Sequence, residues 1–146
     1  MGIKEKGKEI ILTASFGLRG GNRKEIESAI NEKITYRRSR HPLEYPNIGS
    51  IFKNVALDTV AADVKPLVAH VVKQDPFPVV PTAYLISEAG LKGVSSGGAM
   101  ISPKHPNFIV NVLSACASDV KKLINLAKKE VKDKFGIELE EEVQIV

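Results

Sequence analysis

The sequence predicts an α+β fold, and three observations carry that prediction. Segments with a helical apolar period and segments with a two-residue alternation are interleaved, without the regular strand–helix–strand repeat of a parallel α/β protein. The strongest helical pattern, over residues 118–135, runs straight into an alternating stretch at 137–145. Two short β-rich runs, near 98–102 and 108–112, flank the turn-forming Pro103-Lys104-His105-Pro106. At 146 residues the chain is about one domain by length and can bury a sizeable core.

Each element has its own local reason. Residues 9–16, EIILTASF, read as a strand, with Leu12, Ala14 and Phe16 on one face and Ile11, Thr13 and Ser15 on the other. Gly17 ends it, and Gly20-Gly21 is loop. Asn22 is placed to cap a helix over RKEIESAINEKITYRR, where Ile26, Ala29, Ile30 and Ile34 recur at helical spacing. Arg37, Arg38 and Arg40 suit the negative end of its dipole. SRHPLEYPNIGS, with two prolines and a glycine, reads as loop and as a domain boundary. Residues 51–55 read as a short strand. A helical pattern follows over 58–73, with Pro66 marking a helix start. DPFPVVP forces extended chain. Thr82 is placed to cap a helix over AYLISEA that stops at Gly90. Ser118 is placed to cap the strongest helix, whose face is Val120, Leu123, Ile124, Ala127, Val131 and Phe135, and Gly136 ends it. In the closing alternation Ile137, Leu139, Val143 and Ile145 oppose Glu138, Glu140, Glu142 and Gln144, and Glu141 breaks the apolar side.

Composition narrows the function classes. Hydrophobic residues at 43% and charged residues at 26% exclude a disordered polymer and a collagen-like rod. No apolar run reaches the roughly 18 residues of a membrane span. The charged start MGIKEKGKE has no apolar signal core, and one cysteine cannot form an internal disulfide, so a cytoplasmic chain is expected. Twenty-one basic against seventeen acidic residues leave a net charge of +4, a mild bias toward anionic ligands rather than a nucleic-acid footprint. With no Trp and 5% aromatics, a stacking platform for single strands is not expected either.

The residues that could carry chemistry are few. His41, His70 and His105 are scattered and Cys116 has no second cysteine near it, so no metal site is expected. Cys116 reads as a small buried residue rather than a nucleophile. Neither a G-x-G-x-x-G nor a Walker A motif is present. Ser50 follows Gly49 at the mouth of a strand, where a glycine lets a ligand approach the backbone closely. Physics alone favours a loop-capping serine there, because hydroxyls favour turns. Alternation puts Ile51 and Lys53 on one face of that strand and Phe52 and Asn54 on the other. Glu138, Glu140 and Glu142 are either solvated gatekeepers of an edge or carboxylates facing a cleft, and periodicity does not choose.

In order, YRRSRHPLEYPNIGSIFKN, AYLISEAGLKG, SSGGAMISPKHPNFIVN and the helix leading into FGIELEEEVQIV resemble one family closely. It is MurB, UDP-N-acetylenolpyruvoylglucosamine reductase (UDP-N-acetylmuramate dehydrogenase), in its C-terminal half. The likeness runs from about residue 9 to the end. It implies residues 1–37 as the tail of a FAD-binding domain, one strand plus one helix, and 38–146 as the substrate domain. It also implies an oxidoreductase of peptidoglycan biosynthesis, and so of cell-wall biogenesis, cell shape and division. In such a flavoprotein NADPH reduces FAD, hydride passes to C3 of the enolpyruvyl ether of UDP-N-acetylglucosamine enolpyruvate, and a serine protonates C2.

By motif position the serine of G-S-x-F-K-N is Ser50, and the glutamate of L-E-x-E-V, which assists the C2 intermediate, is Glu142. Asn54, with Lys53 beside it, falls on substrate-binding positions. The resemblance further implies that the glutamate face looks inward. No metal, nucleic acid or membrane partner is implied. The departures are equally specific. The flavin domain and the family's catalytic arginine have no counterpart here, so the chain is expected to be a fragment, inactive alone, whose partner is the missing N-terminal half. Residues 55–81 are longer than the family's link. Gln144 stands where arginine is common, and Met100 where glutamine is common. The alternative is a non-catalytic UDP-sugar-binding module.

Overall fold

The computed structural model describes residues 12–74 and 76–144. The chain divides between Ile34 and Thr35 into two units. In the first, Leu12 to Asn22 has no regular structure and is exposed throughout. The strand expected over 9–16 is therefore absent in its described part, and residues 9–11 lie outside the described residues. A strand exists only through a ladder partner, and no described strand pairs with this segment. Helix α1, Arg23–Arg40, starts where expected: the Asn22 side chain accepts from the amides of Lys24 (2.9 Å) and Glu25 (3.4 Å). Every residue of α1 is exposed, including its isoleucine stripe.

The second unit holds a four-stranded antiparallel sheet in the order β1-β6-β5-β4, from β1 (Asn47–Ser50), β4 (Ser95–Ser96), β5 (Ala99–Ile101) and β6 (Phe108–Asn111). A separate hairpin pairs β2 (Val55–Ala56) with β3 (Val79–Val80). The elements expected as a β5–β6 hairpin are both present, with Met100 opposite Val110. Asn47–Ser50, read from its glycine and prolines as loop, is instead a strand on β6. Its ladder partner lies some sixty residues away, and pairing of that range overrides local propensity. Residues 51–55, expected as one strand, make only a single bridge, Phe52 to Glu141, before β2 begins.

The stretch 55–81 is part of the core. The hairpin brings its two ends together, and Val60, Val64 and Val68 are buried with Leu85, Ile86 and Leu123. Pro66 stands at the start of the short helix α2, Lys65–Val68, as expected. Helix α3, Thr82–Glu88, is capped by Pro81 rather than Thr82. The Thr82 hydroxyl is engaged elsewhere, donating to the Lys53 carbonyl at 2.6 Å. Gly90, at φ +77°, follows α3.

Helix α4, Ala117–Phe135, lays Leu123, Ile124, Ala127, Val131 and Phe135 on the core and ends at left-handed Gly136. Its cap is Cys116, not Ser118, because Asp119 reaches back to the Cys116 amide at 3.1 Å. Cys116 is exposed, against the expectation of a buried thiol, since a cap position faces solvent. The same carboxylate also accepts from the Gly98 amide at 3.3 Å. It thus ties the β4–β5 turn to the helix start.

The Cys116 amide, then the Cys116 side chain and the Gly98 amide hold the Asp119 carboxyl below the usual carboxylate range. A lowered folded pKa contributes stability above the unfolded value, about 4, that is lost as pH falls through the folded value. Thermal melts of Asp119→Asn should lie below the unmutated chain at pH 7 and converge with it toward pH 3. A constant gap across that range would remove Asp119 from the pH dependence.

Past Gly136 the chain runs beside residues 51–53 as a single-bridge segment rather than the expected long strand. Ile137 and Leu139 are buried as the alternation requires. Glu141, the residue that breaks the pattern, is half-buried and compensated by Lys128 of α4 at 2.5 Å. Glu138, Glu140 and Glu142 are exposed. The inward-looking glutamate face implied by the resemblance is thus open to solvent in this chain. Ile145 lies outside the described residues. No described helix is long and apolar enough to cross a membrane.

Candidate functional site

Ser50 is the last residue of β1 and is partly exposed, opposite Phe108 of β6. The pairing is irregular between Asn47 and Ser50, where Gly49 takes φ +88°. A left-handed residue at that bend is what glycine supplies without strain. The loop leading in is held by Asn47, whose side chain donates to Pro42 O (3.1 Å) and Tyr45 O (2.8 Å) and accepts from Gly49 N (3.1 Å). Ser50 Oγ makes no hydrogen bond with any described residue. The loop-capping role that physics alone favoured is filled by Asn47.

The closing segment brings Glu142 to the same place. Its amide donates to Ile51 O at 2.8 Å, one residue beyond Ser50. The Lys53 amide donates to Glu140 O at 2.9 Å, and the Lys53 amine forms an ion pair with the Glu140 carboxylate. Both side chains of that pair are exposed, so it orients Lys53 more than it stabilises the fold. Asn54, also exposed, accepts from the Thr82 amide at 3.2 Å, joining the segment before β2 to the start of α3. The structure therefore gathers Ser50, Lys53, Asn54 and Glu142, 92 residues apart at the extremes, around one short peptide run.

Two features escaped sequence reasoning. The first is Asn107, 4% exposed, whose side chain accepts from Phe52 N (3.0 Å) and donates to Phe52 O (2.8 Å). An asparagine between a proline and a β-rich run is its only signal in the sequence; its burial is what demands partners. The second is a histidine pair: His41 stacks on His105 with centroids 5.3 Å apart, and His105 packs edge-on to Phe108. Burial first, then the charge of His41, push the His105 ring below its ordinary range. Among the described residues no group of three His, Cys, Asp or Glu could hold a metal.

An apolar groove of about 310 Å³ lies over β1 and the start of α4, lined by Ile48, Ile51, Val110, Ala115, Cys116 and Val120. A second lobe shares Ile48, Ala117 and Val120 and reaches Val143 and Gln144. None of the four site residues lines either lobe; Lys53, Asn54 and Glu142 are exposed and Ser50 is partly so. The glycine loop at 17–21 is exposed, and a Cβ at Gly17 or Gly20 would meet nothing within 4 Å.

Comparison with known proteins supplies the rest. Residues 41–146 match the family model described as UDP-N-acetylenolpyruvoylglucosamine reductase, C-terminal domain. A UDP-N-acetylenolpyruvoylglucosamine reductase of Anoxybacillus flavithermus is 38% identical over 144 residues, covering 99% of this chain and 40% of the relative. One from Syntrophus aciditrophicus is 41% identical over 137 residues, covering 94% of this chain and 37% of the relative. The crystal structure of UDP-N-acetylenolpyruvylglucosamine reductase (MurB) from Thermus caldophilus superposes with a TM-score of 0.54 at 30% identity, over 88% of this chain and 38% of that one. The chain thus spans about two fifths of the length of the curated relatives it matches.

Proposed function

The chain belongs to the UDP-N-acetylenolpyruvoylglucosamine reductase C-terminal domain family, and on that premise we propose that it supplies the substrate half of such a reductase. Its substrate is UDP-N-acetylglucosamine enolpyruvate, and the reaction is reduction of the enolpyruvyl double bond in cytoplasmic peptidoglycan synthesis. The observation that carries the reading is the gathering of Ser50, Lys53, Asn54 and Glu142 along residues 50–54 and their partner segment.

In this reading Lys53 and Asn54 hold the UDP-sugar, a positive charge and an amide suiting a diphosphate and a sugar hydroxyl. Ser50 holds the proton destined for C2 of the enolpyruvyl group. A serine hydroxyl is a weak acid, but the carbon it protonates is strongly basic, and exclusion of water sharpens the transfer. Glu142, ionised, would oppose negative charge at C2, so its assistance requires a proton or a neighbouring cation. FAD and NADPH are the cofactors the resemblance implies, with the FAD site mostly in the N-terminal half of such a reductase. Residues 1–37 are read as the tail of the flavin-binding part and 38–146 as the substrate domain, and the chain alone is inactive.

Calorimetric titration of the chain with UDP-N-acetylglucosamine enolpyruvate, beside plain UDP-N-acetylglucosamine, tests this directly. Saturable binding that favours the enolpyruvyl compound is expected. Lys53→Met and Asn54→Asp should each weaken it about tenfold, the loss of one charged or polar contact. No binding by the folded chain, or no preference between the two sugars, would sink the proposal.

A further inference from the structure

Residues 51–53 are held to an unusual degree by groups outside any regular ladder. Six main-chain groups belong to this run, and all six have protein partners. Ile51 N donates to Asn107 O (2.8 Å) and Ile51 O accepts from Glu142 N (2.8 Å). Phe52 N and Phe52 O are both taken by the Asn107 side chain, at 3.0 and 2.8 Å. Lys53 N donates to Glu140 O (2.9 Å), and Lys53 O accepts from the Thr82 hydroxyl (2.6 Å). Three segments distant in sequence therefore fix one peptide run, with Ser50 at its start and Lys53 and Asn54 at its end. A side-chain amide has the donor and acceptor of a peptide group, so Asn107 continues β6 by one residue where β1 leaves it.

We infer that Asn107 is a positioning residue for the substrate run: its buried amide, standing in for a neighbouring strand, sets where Ser50, Lys53 and Asn54 stand. The inference rests on the substrate-half reading above for its functional consequence, and on geometry alone for the clamp. A catalytic run must be held within fractions of an ångström, and a pre-set backbone spares the ordering cost when ligand arrives. Phe52 is anchored in the same way, 2% exposed in the core beneath the clamp.

The test is Asn107→Asp in this chain, followed across pH by amide exchange, by amide NMR shifts and by titration with UDP-N-acetylglucosamine enolpyruvate. A carboxylate keeps an acceptor for Phe52 N but sets an oxygen against Phe52 O, whereas a protonated carboxyl reproduces both asparagine bonds. At pH 8 the Lys53 amide, in the same peptide group as Phe52 O, should lose about tenfold in protection relative to the unmutated chain. The Ser50 and Asn54 signals should move with it, and the affinity should fall about tenfold. All three should recover toward the unmutated values as pH falls to about 5, because burial favours the neutral carboxyl.

Leu123 and Val131, in α4, should keep their protection throughout; a merely structural asparagine would loosen them together with the run. Asn107→Ser, uncharged, should show the local loss at every pH with no acid recovery, and it stands in should the aspartate variant unfold at pH 8. Unchanged Lys53 protection and unchanged Ser50 and Asn54 signals in both variants would overturn the clamp. Altered signals with unaltered affinity would overturn the positioning role. If the unmutated chain binds no sugar, the substrate-half reading falls, and the Ser50, Lys53 and Asn54 signals still decide whether Asn107 sets their places.

Discussion

Gly98→Ala should lower stability by about 3 kcal/mol or more, the upper end of what overpacking costs, because the new Cβ has nowhere to go. It would stand 2.1 Å from Leu113 O and 2.5 Å from Ala115 N, both backbone atoms, so no side-chain rotation relieves the clash. The Gly98 carbonyl accepts from the amides of Val112 and Leu113, and its amide donates to Asp119. Pushing the two strands apart thus loosens β5, β6 and the start of α4 together. A fall in melting temperature on the order of 10 °C is expected for a body of this size. Gly17→Ala is the matched control. Its Cβ would meet nothing within 4 Å and its φ is not left-handed, so its melt should coincide with that of the unmutated chain. A Gly98→Ala melt within a degree or two of the unmutated chain would mean that residues 113–115 yield freely. The described packing would then be wrong there.

The same corner shows why some of the fold was legible in the sequence and some was not. Helix α4 announces itself because its six apolar positions repeat at 3.6 residues and Gly136 stops them, and both signals are local. The β5–β6 hairpin is local for the same reason, with its turn fixed by prolines. Strand β1 is not local. Asn47–Ser50 carries a glycine and follows Pro46, and it becomes a strand only because β6 passes beside it. The cap at Cys116 turns on which side-chain oxygen wins its amide, and the neighbour Asp119 decides that rather than propensity; at α3 the Thr82 hydroxyl is spent on the Lys53 carbonyl, and Pro81 holds the cap position without a side-chain bond.

Of the site, Ser50, Lys53 and Asn54 are readable because they are contiguous in one motif. That Glu142 lies beside them follows from the return of the chain after α4, which periodicity does not encode. His41 and His105, scattered in sequence and stacked in space, make the same point.

Ser50→Ala carries the largest functional effect expected. If Ser50 holds the proton for C2, removing its hydroxyl should slow formation of UDP-N-acetylmuramate by about 10²- to 10⁴-fold, the usual contribution of a positioned acid. Affinity for UDP-N-acetylglucosamine enolpyruvate should stay within about twofold, because one partly exposed hydroxyl adds little to binding. The measurement mixes this chain with the N-terminal remainder of a relative such as the Anoxybacillus flavithermus reductase, supplies FAD and NADPH, and follows product.

The split between rate and affinity separates the rival readings. A non-catalytic sugar-binding module would bind equally well with serine or alanine and give no product with either. A serine that only shapes the end of β1 would change neither rate nor affinity, since its Oγ makes no hydrogen bond among the described residues to lose. A serine that only helps to hold the sugar would lose affinity with little change in turnover at saturation. Only a group acting at the reacting carbon lowers turnover and leaves binding in place, so that combination is the one result the proton-donor role requires.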